Sequence, residues 1–259
     1  MGQYYLVAEI IVSIFATKLF LFMKIKKKIA LVLMVMLTIS LTMDSKTEEI
    51  NMLRGNAEIV KCPYCGKEKE LMTLVSGNTF GAQFWSDNKR IAPMLPTVSP
   101  IQKCPRCKKY YFERKNRHGE SKKTSSERGE LTFLEWKEAY RQFVSEKISG
   151  KDEVDMCFWL IQSYNDHYYR NRIAHEPTKA DYAFFVKIVL TFIRKFDWTQ
   201  VDHPLLKAEL YREAGRMTEC EIVLKSIPYK FQKDFEKRIY NDIKKRMTNN
   251  DIKVFKLSE

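Results

Sequence analysis

The sequence predicts an α+β chain that is mainly α: a small β-type ribbon held by four cysteines, followed by an all-α antiparallel helical domain. Three observations predict it. Four of the six cysteines form two Cys-Pro-x-Cys pairs, Cys62/Cys65 and Cys104/Cys107. Between the pairs, short apolar stretches alternate with turn-forming residues, which suits short strands and loops. After Leu131 the texture changes to long amphipathic segments with few glycines, whose apolar residues recur every three or four positions.

Composition bounds the function classes. Hydrophobic residues make up 45% and aromatics 13% of the 259 residues, which excludes a disordered or collagen-like chain and leaves material for a core. The 45 Lys and Arg outnumber the 32 Asp and Glu, giving a net charge of +13, and the excess is local. Four lysines, Lys24, Lys26, Lys27 and Lys28, interrupt the first fifty residues, and seven basic residues fall between Lys108 and Lys123. That distribution favours a membrane-proximal or linker role over a general affinity for nucleic acid.

Residues 1–50 form a hydrophobic segment that reads as a membrane anchor, a signal-like segment or a misassigned start. The run at 4–23 is long enough to cross a bilayer, at ~1.5 Å per helical residue, although Glu9 and Lys18 oppose insertion. The lysine cluster and the apolar run from Ile29 to Met43 resemble a signal peptide starting at Met23, without an Ala-x-Ala cleavage site. A membrane contact would thus run through residues 4–43, with the rest of the chain on the cytoplasmic face. The alternatives are export from a Met23 start, or a soluble chain starting at Met43 or Met52. Thiolate metal sites persist where thiols stay reduced, which favours the cytoplasmic side.

The ribbon is expected over 58–115. Two residues between paired cysteines let a tight turn aim both sulfurs at one ion, and two such turns supply the four tetrahedral ligands that Zn²⁺ accepts. Cys62, Cys65, Cys104 and Cys107 are therefore the expected ligands of a structural Zn²⁺, with a redox dithiol as the alternative. Proline restricts each turn, and Gly66 permits the positive φ that such turns need. An all-cysteine set leaves no position for a catalytic water. Phe80, Phe84 and Trp85, between the pairs, are expected to cover the metal. Cys157 and Cys220 stand alone and are expected to be small buried residues.

A basic polar linker is expected over 116–130, after a stretch that carries Lys108, Lys109, Arg114, Lys115 and Arg117 around Tyr110, Tyr111 and Phe112. Basic charge interleaved with aromatics suits phosphate contact and base stacking, so nucleic acid is an alternative partner through those five residues. The helical domain is expected over 131–259. Leu131–Ile148 and Asp152–Tyr169 are its first helices, and Thr178 with Asp181 starts the next. Tyr182, Phe185, Val186, Val189, Ile193 and Phe196 then mark one buried face. Leu206, Leu210, Tyr211 and Ala214 are expected to face Cys220, Val223, Leu224 and Ile227 across a hairpin, with Gly215 at the turn and a Thr218/Glu221 capping box.

That hairpin resembles one tetratricopeptide unit, with Tyr211, Gly215 and Cys220 at the aromatic, glycine and small-residue positions. Together with the cysteine knuckles, the Ser76–Pro96 segment, Tyr164–Asp166 and the Lys253–Leu257 ending, it resembles an uncharacterised bacterial family. The resemblance implies a four-cysteine zinc ribbon fused to a tetratricopeptide-like helical domain, and implies no activity. Separately, Tyr169-Arg-Asn-Arg-Ile-Ala-His175 resembles the Arg-x4–6-His motif of HEPN ribonucleases. That resemblance implies His175 as acid/base and Arg170 as a phosphate contact in metal-independent RNA cleavage, and imidazole and guanidinium suit those roles. In a regular helix the two residues point about 140° apart, so they converge only if the helix ends near them, as Pro177 suggests. His118, His167 and His203 lack any partner pattern. The expectation is a non-enzymatic, zinc-binding interaction or scaffold protein whose partner is a protein. The alternatives are a HEPN-like ribonuclease using Arg170 and His175 and a nucleic-acid-binding zinc ribbon.

Overall fold

In the computed structural model the described residues are 53–95, 98–121, 130–170, 175–199, 204–227 and 234–257. The membrane and export expectations fall on residues 1–50, and His203 likewise lies outside the described residues. Among the described residues, no helix is long and apolar enough to cross a membrane.

Among the described residues, nine short strands, β1 (Leu53–Arg54), β2 (Ala57–Lys61), β3 (Glu68–Leu71), β4 (Leu74–Ser76), β5 (Gln83–Phe84), β6 (Arg90–Ile91), β7 (Ile101–Lys103), β8 (Tyr110–Phe112) and β9 (Arg117–Ser121), precede the helices. They pair antiparallel in small sheets, β3-β2-β9 being the widest and β7-β8 the hairpin that carries the second cysteine knuckle. Arg117–Ser121, expected to open a linker, is instead a strand along β2. A bulge there passes from the Ile59–Gly119 pair to Val60–Arg117, leaving His118 as the extra residue. The strand region therefore extends to Ser121, where β9 covers an edge of β2 that would otherwise be unpaired.

Six α-helices follow among the described residues: α1 (Phe133–Ser145), α2 (Lys151–Asn165), α3 (Lys179–Lys195), α4 (Pro204–Glu213), α5 (Met217–Ser226) and α6 (Asp234–Thr248). The first starts at a capping box. Thr132 Oγ1 accepts from the Glu135 N–H, and the Thr132 N–H donates to Glu135 Oε2 at 3.1 Å. Asp181 N donates to Thr178 Oγ1 at 3.1 Å, as the sequence predicts for α3. At α5 the expected Thr218 capping box is absent. The helix starts two residues earlier, at Met217 after Arg216, so Thr218 is already inside the first turn and no side chain caps it.

The largest core joins Phe133, Trp136 and Phe143 of α1, Met156, Leu160 and Tyr164 of α2, and Phe185, Ile188 and Phe192 of α3. Tyr164 stacks on Phe185 with ring centroids 4.0 Å apart. Ile101, Tyr110 and Phe112, on the β7-β8 hairpin, belong to this same core, so the two halves share apolar packing. Each such fully buried side chain contributes roughly 1.5–3 kcal/mol. A polar seam runs beside it. Gln142 takes the place of a neighbouring strand, its Oε1 accepting from Tyr110 N at 2.9 Å and its Nε2 donating to Tyr110 O at 2.8 Å.

The α4–α5 hairpin turns at Gly215, whose φ is +69°. Its faces divide differently from the expectation. Leu206, Leu210 and Ala214, spaced four apart, belong to the large core, whereas Ala208 packs with Cys220, Leu224, Ile227, Ile243 of α6 and Phe255. Residues 208 and 210 lie about 200° apart on a helix, so α4 is buried on both sides. Cys157 and Cys220 are fully buried, and burial pushes each thiol up to about 12, which suits inert packing residues.

Candidate metal centre

Each knuckle is a tight turn at one end of a strand pair. In the first, Gly66 N donates to Cys62 O and Cys62 N to Lys67 O, both at 2.9 Å. The second repeats it, with Lys108 N to Cys104 O at 3.0 Å and Cys104 N to Lys109 O at 2.8 Å. The residue after each Cys-x-x-Cys adopts positive φ, +71° at Gly66 and +62° at Lys108. Lysine accepts there a left-handed conformation that glycine takes without strain.

The two turns bring the four Sγ atoms of Cys62, Cys65, Cys104 and Cys107 within 4.8 Å of one another, close enough to hold a single metal ion. Cys62 Sγ lies 3.6 Å from Cys107 Sγ, and Cys65 Sγ lies 3.5 Å from Cys104 Sγ. Cys62 and Cys104 are buried, and Cys65 and Cys107 are half-buried. Burial pushes the Cys62 thiol up to about 12. At Cys104 burial acts in the same sense but is outweighed by the Cys107 and Arg106 N–H groups and the neighbouring thiols, which hold it at about 6.

Val60, Leu71 and Tyr111 cover the cluster. The expected cover does not: Phe80 is 81% exposed and Phe84 46%. The segment between the knuckles leaves the ribbon and docks on the helical half. Ser86 N donates to Phe255 O at 2.9 Å, and Leu257 N to Phe84 O at 2.8 Å, adding the chain end to β5. Asp87, fully buried, is the centre of this docking. Its Oδ2 accepts from Asn165 Nδ2 at 3.0 Å and is paired with Arg170.

Arg170 closes a π-helical turn, Asp166–Arg170, that continues α2. Its guanidinium is 4% exposed, pairs with Asp87 and with Asp166 at 2.7 Å, donates to Gln162 O at 3.1 Å and lies 5.0 Å over the Trp85 ring. His175 is exposed, and residues 171–174 between them lie outside the described residues. The structure thus commits Arg170 to two carboxylates, the buried Asp87 and the half-buried Asp166. His167 stacks on Phe133 at 5.7 Å. The basic stretch is also largely paired within the chain. Arg114 meets Asp152 and Asp155, Lys115 meets Asp152, and Arg117 meets Glu58 at 3.1 Å, while Lys109 lies 4.5 Å over Tyr64. Lys108 occupies the knuckle turn. Tyr110, Tyr111 and Phe112 are buried, turned into the two cores.

Sequence reasoning missed Asp87, Asn165 and Glu213. The last two are joined by Asn165 Nδ2 donating to Glu213 Oε2 at 2.8 Å. The signal was faint: an Asp in a Trp-Ser-Asp-Asn turn and a polar pair ending a hydrophobic helix. No family model, curated protein or solved structure matches this chain.

Proposed function

We propose that the protein is a non-enzymatic interaction protein whose ribbon is fixed by one structural Zn²⁺ and whose tetratricopeptide-like helical half presents a surface to a partner protein. The observation that carries this reading is the donor set: four sulfurs within 4.8 Å and no histidine or carboxylate among them. Zn²⁺ fits four thiolates in a tetrahedron, and a closed site stabilises a fold without activating water. The ion would be held by Cys62, Cys65, Cys104 and Cys107, and would supply stability by tying β2-β3 to β7-β8. Docking of the β7-β8 hairpin into the helical core would carry that rigidity to α1 and α2.

The intramolecular pairing of Arg170 and of the basic stretch favours this reading over RNA cleavage or nucleic-acid binding. The test incubates zinc-loaded protein and its His175→Ala variant with single-stranded RNA, and measures binding of the same RNA at two salt concentrations. The reading expects neither cleavage nor tight binding. Cleavage lost on His175→Ala, or binding that weakens steeply with salt, would overturn it.

A further inference from the structure

Glu213, at the end of α4, is 1% exposed, and the one hydrogen bond to its carboxyl among the described residues comes from Asn165 Nδ2. Two buried atoms are left over in that pair, Glu213 Oε1 and Asn165 Oδ1, and neither has a partner. A carboxylate with a bare oxygen in a dry interior is strongly disfavoured, and so is a bare amide carbonyl. A carboxylic acid satisfies both: its O–H donates to the amide oxygen while its other oxygen accepts from the amide N–H.

The buried cations of this network, Arg212 and Arg170, already face other carboxylates. Arg212 gives Nε and Nη2 to Glu209 at 2.8 and 2.5 Å, and its remaining bonds go to the Asp251 and Lys253 carbonyls. Arg170 serves Asp87 and Asp166, and Lys89 serves Asp166. The ion pairs linked to this site join three cations, Lys89, Arg170 and Arg212, to three carboxylates, Asp166, Asp87 and Glu209. None of these pairs includes Glu213, so its ionisation adds a negative charge that no ion pair among the described residues takes up. From α3, Tyr182 donates to the Glu213 backbone O at 3.4 Å, Tyr169 of the π-helical turn is a further titratable neighbour, and the exposed Arg216 acts on the same Tyr182. The Asp251 carboxylate is paired with Arg246 at 2.5 Å.

We infer that Glu213 is a neutral carboxylic acid donating from Oε1 to Asn165 Oδ1, and that this acid–carboxamide pair is an alkali-sensitive latch holding the Asp87 loop against α2 and α4. Burial, with the Glu209 and Asp87 charges adding to it, pushes the Glu213 carboxyl well above the usual range, against the weaker pull of Arg212 and Asn165. Loss of the proton puts a second anion, one with no ion-pair partner among the described residues, beside Asp87 on the same Asn165 amide. A carboxyl whose folded pKa is raised contributes stability below its unfolded pKa, and that contribution is lost as pH rises through the folded one.

Glu213→Gln keeps both hydrogen bonds and cannot ionise. Denaturant unfolding of the zinc-loaded chain should show the folded-to-unfolded ratio of wild type falling, relative to E213Q, by up to tenfold per pH unit above about pH 4.5. Hydrogen exchange of the Ser86 and Asn88 amides, corrected for intrinsic rates, should accelerate between about pH 6 and about pH 10 in wild type and not in E213Q. Carbon-13 NMR of the wild type at pH 7 should show one glutamate carboxyl in the protonated position, a readout that does not depend on any variant folding. All glutamate carboxyls ionised at pH 7, or equal pH slopes for the two proteins, would overturn the protonated pair. A protonated carboxyl with equal loop exchange in both proteins would overturn the latch.

Discussion

Asn165 Nδ2 reaches Asp87 Oδ2 at 3.0 Å across 78 residues of sequence, and Arg170, five residues further on, pairs with the same oxygen. In a regular α-helix residues five apart point about 140° away from one another. The π-helical turn at Asp166–Arg170 changes this, because i→i+5 bonding places residues five apart nearly one above the other. The turn lets one helix grip one buried carboxylate with two side chains. Asp87→Ala should then leave Arg170 buried beside Asp166 alone and cost about 3 kcal/mol or more. The double variant Asp87→Ala/Arg170→Met should recover part of that loss in denaturant unfolding. A loss under about 1 kcal/mol for the single variant would mean that the clamp does not hold the loop.

The two knuckles share one backbone but differ at the left-handed residue, Gly66 in one and Lys108 in the other. A Cβ at Gly66 would meet nothing closer than Lys61 Cε, at 3.7 Å, so Gly66→Ala carries only the conformational cost. That cost is about 1–2 kcal/mol, and Lys108→Gly should return a similar amount, reduced by the greater freedom of glycine in the unfolded chain. Melting temperatures should move down for G66A and up for K108G. A fall in both would show that Lys108 is held by something other than the turn.

Asp181 supplies a pH dependence in acid. Burial opposes its ionisation, but Lys137, Thr178 and Tyr168 outweigh it and hold the carboxyl at about 2, below its ordinary value of 3.8. A lowered folded pKa gives stability that is present above the unfolded value and lost as pH falls through the folded one. Asp181→Asn should therefore cost on the order of 1 kcal/mol at pH 6, after allowing for solvent screening, and only a small part of that at pH 2. Acid strips thiolate-bound metal from both proteins alike, so the comparison reads only their difference. A gap that is the same at both pH values would contradict the assignment.

The parts legible in the sequence are those fixed by neighbours along the chain. Cys-Pro-x-Cys sets its own turn, Thr132 and Thr178 cap helices three residues ahead, and Gly215 ends α4, so all of these could be read locally. What could not be read depends on contacts between distant segments. Phe80 and Trp85 look like ribbon core by composition, yet the ribbon is filled by Val60, Leu71 and Tyr111, and Trp85 is carried away to Arg170. Arg117 looks like a linker charge because nothing beside it in sequence marks β2 as its partner. The Arg170–His175 spacing resembles a catalytic pair, but the carboxylate that occupies Arg170 comes from a loop between the cysteine knuckles. Buried polar clusters of this kind carry no periodicity, so hydrophobic patterning passes over them.

The proposed role of Zn²⁺ is to hold β2-β3 and β7-β8 together through Cys62, Cys65, Cys104 and Cys107. It is tested most directly by the zinc content of protein purified without chelator, compared with that of Cys104→Ser. About one equivalent is expected in the wild type, with loss of metal and a lowered unfolding midpoint in the variant. Less than about half an equivalent in the wild type, with no loss of stability in Cys104→Ser, would contradict the account.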